Sequence, residues 1–145
     1  MNIIIPPHIV NIVQWNEVED RCAGLKILDI EKLKSITQYR CCDENHKVCK
    51  WFWNVLERMS PEDQTAYLKF AWGRARMPSD CSNLQYKHRI AIIDYWDKDA
   101  LPESHTCFFA TDFANYESEE ILEKKLLTSI RFCGEIDNDW WSLFY

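Results

Sequence analysis

The residues best suited to covalent chemistry are His105, Thr106 and Cys107, inside the stretch Leu101-Pro102-Glu103-Ser104-His105-Thr106-Cys107-Phe108-Phe109. A thiolate is a strong nucleophile, so the question is whether this cysteine is a nucleophile or a small core residue. Leu101 precedes a proline and is pushed towards extended backbone, which ends a loop. Thr106 to Phe109 is β-branched and aromatic, the composition of a strand. Cys107 is thus expected at a loop-to-strand junction, on a strand running to about Phe113, with His105 on the same face two residues earlier.

No partner for a Cys-His pair is evident. A general base must lie within hydrogen-bond reach of the thiol and be oriented by a third group. His105 is too close in sequence for that geometry, and His8, His46 and His88 are distant, with no protease signature around them. The arginine of a Cys-x5-Arg phosphatase loop is also missing, because that position is Phe113. Cys41, Cys42, His46 and Cys49 have zinc-ligand chemistry but lack paired half-sites at the usual spacings, and an ordinary loop leading into a helix explains them better. No metal or cofactor is expected. Glu117, Glu119, Glu120, Asp137 and Asp139 read as a helix N-terminus and a solvated tail.

The elements that must position Cys107 follow from spacing. Ile9 to Cys22 is loosely helical, with Gly24 as its stop. Asp29 caps a short helix whose Ile30, Leu33 and Ile36 share a face, and Tyr39 to Asn45 reads as a polar loop. Trp51, Phe52, Val55, Leu56 and Met59 form one broad helical face. Ser60-Pro61-Glu62-Asp63 then opens a second helix, with Ala66, Tyr67, Phe70 and Ala71 on one stripe and Gly73 as its end. Arg89 to Tyr95 reads as a buried strand. Ser118 caps a last helix with Leu122, Leu126, Ile130 and Cys133 on one face, closed by Gly134. Helices, then strands, then a helix define an α+β domain: a helical hairpin packed with a small sheet and a C-terminal helix.

Composition narrows the function. The 145 residues carry a net charge of -6, with no basic cluster, which argues against nucleic acid or an anionic membrane as partner. Seven cysteines, an odd number, fit reduced thiols and an intracellular protein. The opening Met1-Asn2-Ile3-Ile4-Ile5-Pro6-Pro7 has no basic region ahead of its apolar run and does not read as a secretory signal. The expected compartment is the cytoplasm, with the nucleus second.

Leu101 to Phe108 closely resembles the active-site segment of HECT-type ubiquitin ligases, L-P-x-[AS]-H-T-C-F. Trp51-Phe52-Trp53 with Leu68, Phe70, Gly73, Arg76 and Pro78 resembles the family's F-W…L-x-F-x-x-G-x-x-R-x-P block. Tyr116, Ser118, Leu122, Lys125 and Leu126 resemble its Y-x-S-x-x-x-L-x-x-K-L helix. Asp29, Leu33, Thr37 and Tyr39 resemble the stretch after the hinge, and Cys22-Ala23-Gly24 the end of the N-terminal lobe. The spelling of Leu101 to Phe109 and of Ile130 to Asp137 is most similar to the giant HECT ligases that carry RCC1-like repeats.

The resemblance implies that residues 1–25 are the end of the HECT N-lobe plus hinge and 26–145 the catalytic C-lobe. It implies that Cys107 accepts ubiquitin from an E2 enzyme as a thioester and passes it to a lysine of a protein substrate. His105 and Thr106 would shape its environment, and Phe108, Phe109, Ala110 and Thr111 would pair with the ubiquitin tail by strand addition. The alternative is a non-catalytic ubiquitin-binding or regulatory fragment without the E2-binding lobe. The sequence departs from the family at Phe109, where many members have asparagine, at Thr111, a common leucine, and at Ala114-Asn115, a usual leucine-proline. Ser142 stands four residues from the C-terminus, where some members have a phenylalanine.

Overall fold

The computed structural model describes residues 27–82 and 84–142, with 133–142 as backbone only. The expected first helix, its Gly24 stop and the lobe boundary at residue 25 lie outside the described residues.

Asp29 caps α1 (Ile30–Ser35), its carboxylate accepting from the Lys32 amide at 3.0 Å, and Leu33 is driven into the core. The residues after it do not all form the expected loop. Gln38–Arg40 is strand β1, and its position is set by pairing with a strand fifty residues further on. A three-residue strand has too little periodicity to stand out in a polar sequence.

The helical hairpin forms as its spacing requires. Helix α2 (Lys47–Arg58) buries Val48, Cys49, Phe52, Trp53, Val55 and Leu56. Helix α3 (Pro61–Trp72) starts at Ser60, whose hydroxyl accepts from the Asp63 amide at 3.2 Å, and buries Tyr67, Leu68, Phe70 and Ala71. It stops at Gly73, whose φ of 71° is left-handed and favours glycine.

β2 (Arg89–Ile93), β3 (Glu103–His105) and β4 (Ala110–Ala114) complete a four-stranded sheet of order β1-β2-β4-β3. β1, β2 and β4 are parallel and β3 is the antiparallel edge. Successive residues face opposite sides of the sheet. Tyr39, Ile90 and Thr111 share one cross-strand row, and the buried Ile90, Ile92, Thr111 and Phe113 meet the helices. Gln38, Arg89, Ala110 and His105 share the next row, on the polar face.

Helix α4 (Glu119–Ser142) begins where Ser118 Oγ accepts from the Ile121 amide at 3.3 Å, and packs Leu122, Leu126 and Ile130 against α2 and α3. It runs on through Gly134 to Ser142, so this glycine is not the expected stop. Inside a helix a glycine costs only about 1 kcal/mol, which the surrounding helix formers absorb. Among the described residues no helix is long and apolar enough to cross a membrane.

Candidate active site

Parallel strands β1, β2 and β4 all begin at one end of the sheet, and Cys107 lies there, immediately before β4. The expected continuous strand through Thr106 to Phe109 is not what forms. β3 ends at His105, Thr106–Phe108 make one 3-10 turn, and Phe109 adopts φ 49°, ψ 55° before β4 starts at Ala110. The aromatic, β-branched composition is real, but it serves packing of the turn rather than an extended run.

Phe109 is the hinge of this turn. Left-handed backbone in a residue other than glycine costs about 1–3 kcal/mol and persists only where the surroundings hold it. Here the Phe109 ring is fully buried and stacks on Trp72, with centroids 4.4 Å apart and planes 10° from parallel. Its amide donates to Thr106 O at 3.4 Å, and its carbonyl accepts from the Arg89 amide at 2.9 Å. Asparagine adopts left-handed backbone more readily than most residues, and a phenylalanine needs its surroundings to hold it there. In this chain the stacked ring offsets the strain.

Cys107 itself is exposed. With Thr106 it lines a groove of about 370 Å³ whose other walls are Trp72, Arg74, Leu84, Gln85 and Tyr86. His105 is half-exposed, and its Nε2 lies 3.1 Å from Asp112 Oδ2 on the neighbouring strand. Asp112 Oδ1 is buried and makes no hydrogen bond. The structure thus brings His105, Thr106 and Cys107 to one place and adds Asp112, Trp72, Arg74 and Tyr86. Sequence reasoning missed those four. Asp112 faces His105 only through antiparallel register, and no local pattern around it signals that.

The structure divides Phe108 to Thr111, expected to pair as one strand with a ubiquitin tail, between two elements. Phe108 and Phe109 belong to the turn. Ala110 and Thr111 are paired on both sides, with Arg89 and Ile90 of β2 and with His105 and Ser104 of β3. A central strand has no free backbone edge to offer. The open edge beside Cys107 belongs to β3.

Among the described residues, the other histidines, His46 and His88, serve the fold, and His8 lies outside them. His46 caps α2, its Nδ1 accepting from the Val48 amide at 3.3 Å. His88 is fully buried, and its proton can be assigned from its neighbours. The Thr37 hydroxyl donates to Leu33 O at 2.6 Å, so it must accept from His88 Nδ1 at 2.7 Å. His88 Nε2 then accepts from the Tyr67 hydroxyl at 2.7 Å, and Tyr67 accepts from Thr111 Oγ1 at 3.3 Å. Burial holds the imidazole neutral, its pKa lowered to about 3. Thr111, a departure from the family's leucine, is the end of this chain of hydrogen bonds. At the other departure, Asn115 Nδ2 donates to Asp94 Oδ1 at 2.9 Å.

Of the zinc-like residues, only two sulfurs come together: Cys49 Sγ donates to Cys42 Sγ at 3.6 Å. Burial raises both thiol pKa values, Cys49 most. Among the described residues no three His, Cys, Asp or Glu side chains are grouped to hold a metal ion.

The profile of the HECT-domain (ubiquitin-transferase) family matches residues 1–138. The chain belongs to the HECT-domain family. It is 31% identical to the human E3 ubiquitin-protein ligase HERC2 over 141 residues, 94% of this chain and 3% of that protein. It is 31% identical to Arabidopsis thaliana E3 ubiquitin-protein ligase UPL2 over 140 residues, 93% of this chain and 4% of the relative. Against E3 ubiquitin-protein ligase RSP5 of Emericella nidulans the identity is 32% over 133 residues, 89% of this chain and 16% of the relative. The chain therefore spans a small part of the length of these relatives. Its mixed helices and four-stranded sheet are consistent with the C-lobe architecture of a HECT domain.

Proposed function

We propose that this chain is the catalytic lobe of an E3 ubiquitin transferase, with residues 26–145 as that lobe and residues 1–25 as the end of the preceding lobe and hinge. Cys107 is its nucleophile. The observation that carries the reading is an exposed cysteine on a turn braced by the buried Phe109 ring stacked on Trp72, in a chain of the HECT family.

The chemistry requires little more than that thiol. Cys107 Sγ, as thiolate, attacks the carbonyl carbon of the ubiquitin–E2 thioester, and the E2 sulfur leaves as thiolate. One thiolate replaces another at the carbonyl carbon, so no proton need be transferred in this step. In the second step a substrate lysine amine attacks the new thioester, Cys107 sulfur leaves as thiolate, and the amine proton passes to solvent. The His105–Asp112 pair, at 3.1 Å, sits beside this reaction, with His105 on the open edge strand β3 and Asp112 on β4. A ubiquitin tail adding as a strand would use that edge, since β4 is enclosed on both sides.

The test incubates the protein with E1, a panel of E2 enzymes and ubiquitin, and follows adducts by intact mass. A thiol-sensitive adduct of one ubiquitin, absent in Cys107→Ala, is the expected result. No adduct from any E2, and none from a chemically activated ubiquitin thioester, would reject the transferase reading in favour of a binding fragment.

A further inference from the structure

Two grooves lie beside the Cys107 turn and share Leu84, Gln85 and Tyr86 as a common wall. One contains Cys107 and Arg74, and the other continues over Gln38, Lys87, Arg89 and Phe108 at the start of the sheet. Among the described residues, three cations and no carboxylate line this trough, although acidic residues outnumber basic ones 23 to 17 in the chain. Its aromatic rim is exposed: Tyr86 at 43% and Phe108 at 52%, meeting edge to face with centroids 5.5 Å apart. Arg74 lies over the Trp72 ring at 4.8 Å, which fixes its charge at the Cys107 end. Arg89 Nε is buried without a hydrogen-bond partner, an unused donor in the wall of the second groove.

A cationic trough on an acidic protein selects by charge. Aromatic rings beside guanidinium and ammonium groups suit a peptide with carboxylates and some apolar surface. Because the trough ends at the reactive sulfur, whatever occupies it is held next to the bond that breaks. We propose that the trough formed by Arg74, Lys87, Arg89, Tyr86 and Phe108 binds an acidic segment of the acceptor protein. It thereby favours acceptor lysines flanked by Asp or Glu. This deepens the transferase reading and rests on it.

The test has two arms. In the first, chloroacetyl peptides that differ only in Glu, Gln or Lys at the flanking positions alkylate the purified protein, and adducts at Cys107 are quantified by peptide mapping. This arm needs no ubiquitin chemistry. The Glu peptide should react with Cys107 roughly 10-fold faster than the Gln peptide at low ionic strength, and the Lys peptide slowest. The advantage should shrink at high salt and collapse in Lys87→Glu, an exposed position, and in Arg89→Gln. Equal rates for the Glu and Gln peptides, or an advantage that survives both substitutions, overturns the proposal.

In the second arm, the Cys107–ubiquitin thioester discharges onto lysine peptides with the same flanks, and rates are compared at equal amounts of thioester. Preferential discharge onto the Glu-flanked lysine is expected. Discharge indifferent to flank overturns the acceptor role. Failure to form any thioester while the first arm succeeds rejects the transferase reading and leaves the charge-selective trough standing.

Discussion

The rings of Trp72 and Phe109 lie face to face, 4.4 Å apart and 10° from parallel, so the last residue of α3 clamps the residue that turns the chain from Cys107 into β4. The clamp joins two left-handed residues, Gly73 and Phe109, and the space beside Gly73 is bounded by Thr106 Cβ. The Cys107 turn is therefore braced by the helical hairpin as well as by its own hydrogen bond from the Phe109 amide to Thr106 O.

Truncating the clamp separates its two contributions. Phe109→Ala should cost about 3–5 kcal/mol, as for other buried phenylalanines. Phe109→Gly loses the same ring but relieves the left-handed backbone, so it should be more stable than the alanine variant by roughly 1 kcal/mol. This reverses the usual order of the two residues. Urea denaturation of both variants measures it, and an alanine variant equal to or better than glycine would contradict the strain.

Gly73→Ala should lower stability by roughly 1 kcal/mol, because φ stays at 71° while the added Cβ meets Thr106 Cβ only at an ordinary contact distance of 3.9 Å. Gly73→Asn should cost less. Thermal melts of the two variants give the comparison, and a cost well above that estimate would mean the neighbour, not the backbone, sets the penalty.

His88 makes stability depend on pH. Its pKa falls from 6.5 in the unfolded chain to about 3 in the fold, so the unfolded state binds the extra proton. Its contribution is complete above about pH 6.5 and is lost as pH falls towards 3. Asp80, Asp99, Glu117 and Glu120, whose pKa values are also lowered, add a loss in the same direction but only in the carboxylate range. Between pH 7 and pH 5, wild type should therefore lose stability more steeply than His88→Gln. Parallel slopes in denaturant titrations would reject the neutral, buried imidazole.

The thiols should react in an order set by exposure and ionisation. Cys41 and Cys107 are exposed, whereas Cys49 is buried with its pKa driven up and Cys42 is raised by the same cause. Among the described thiols, brief alkylation with iodoacetamide followed by peptide mapping should label Cys107 and Cys41 first and Cys49 last.

Within the described residues, sequence alone determined the helical hairpin, the caps at Asp29, Ser60 and Ser118, and a buried strand from Arg89, expected to reach Tyr95 but ending at Ile93. It also singled out Cys107 with its His-Thr neighbours. These are local: a cap bonds within its own turn, and a helix face repeats every three or four residues. What tertiary structure decided is non-local. β1 exists because Gln38–Arg40 meets β2, and Asp112 reaches His105 because β3 and β4 set a register. The Cys107 run folded as a turn because Trp72, distant in sequence, stabilises a left-handed Phe109, and no local propensity favours that backbone.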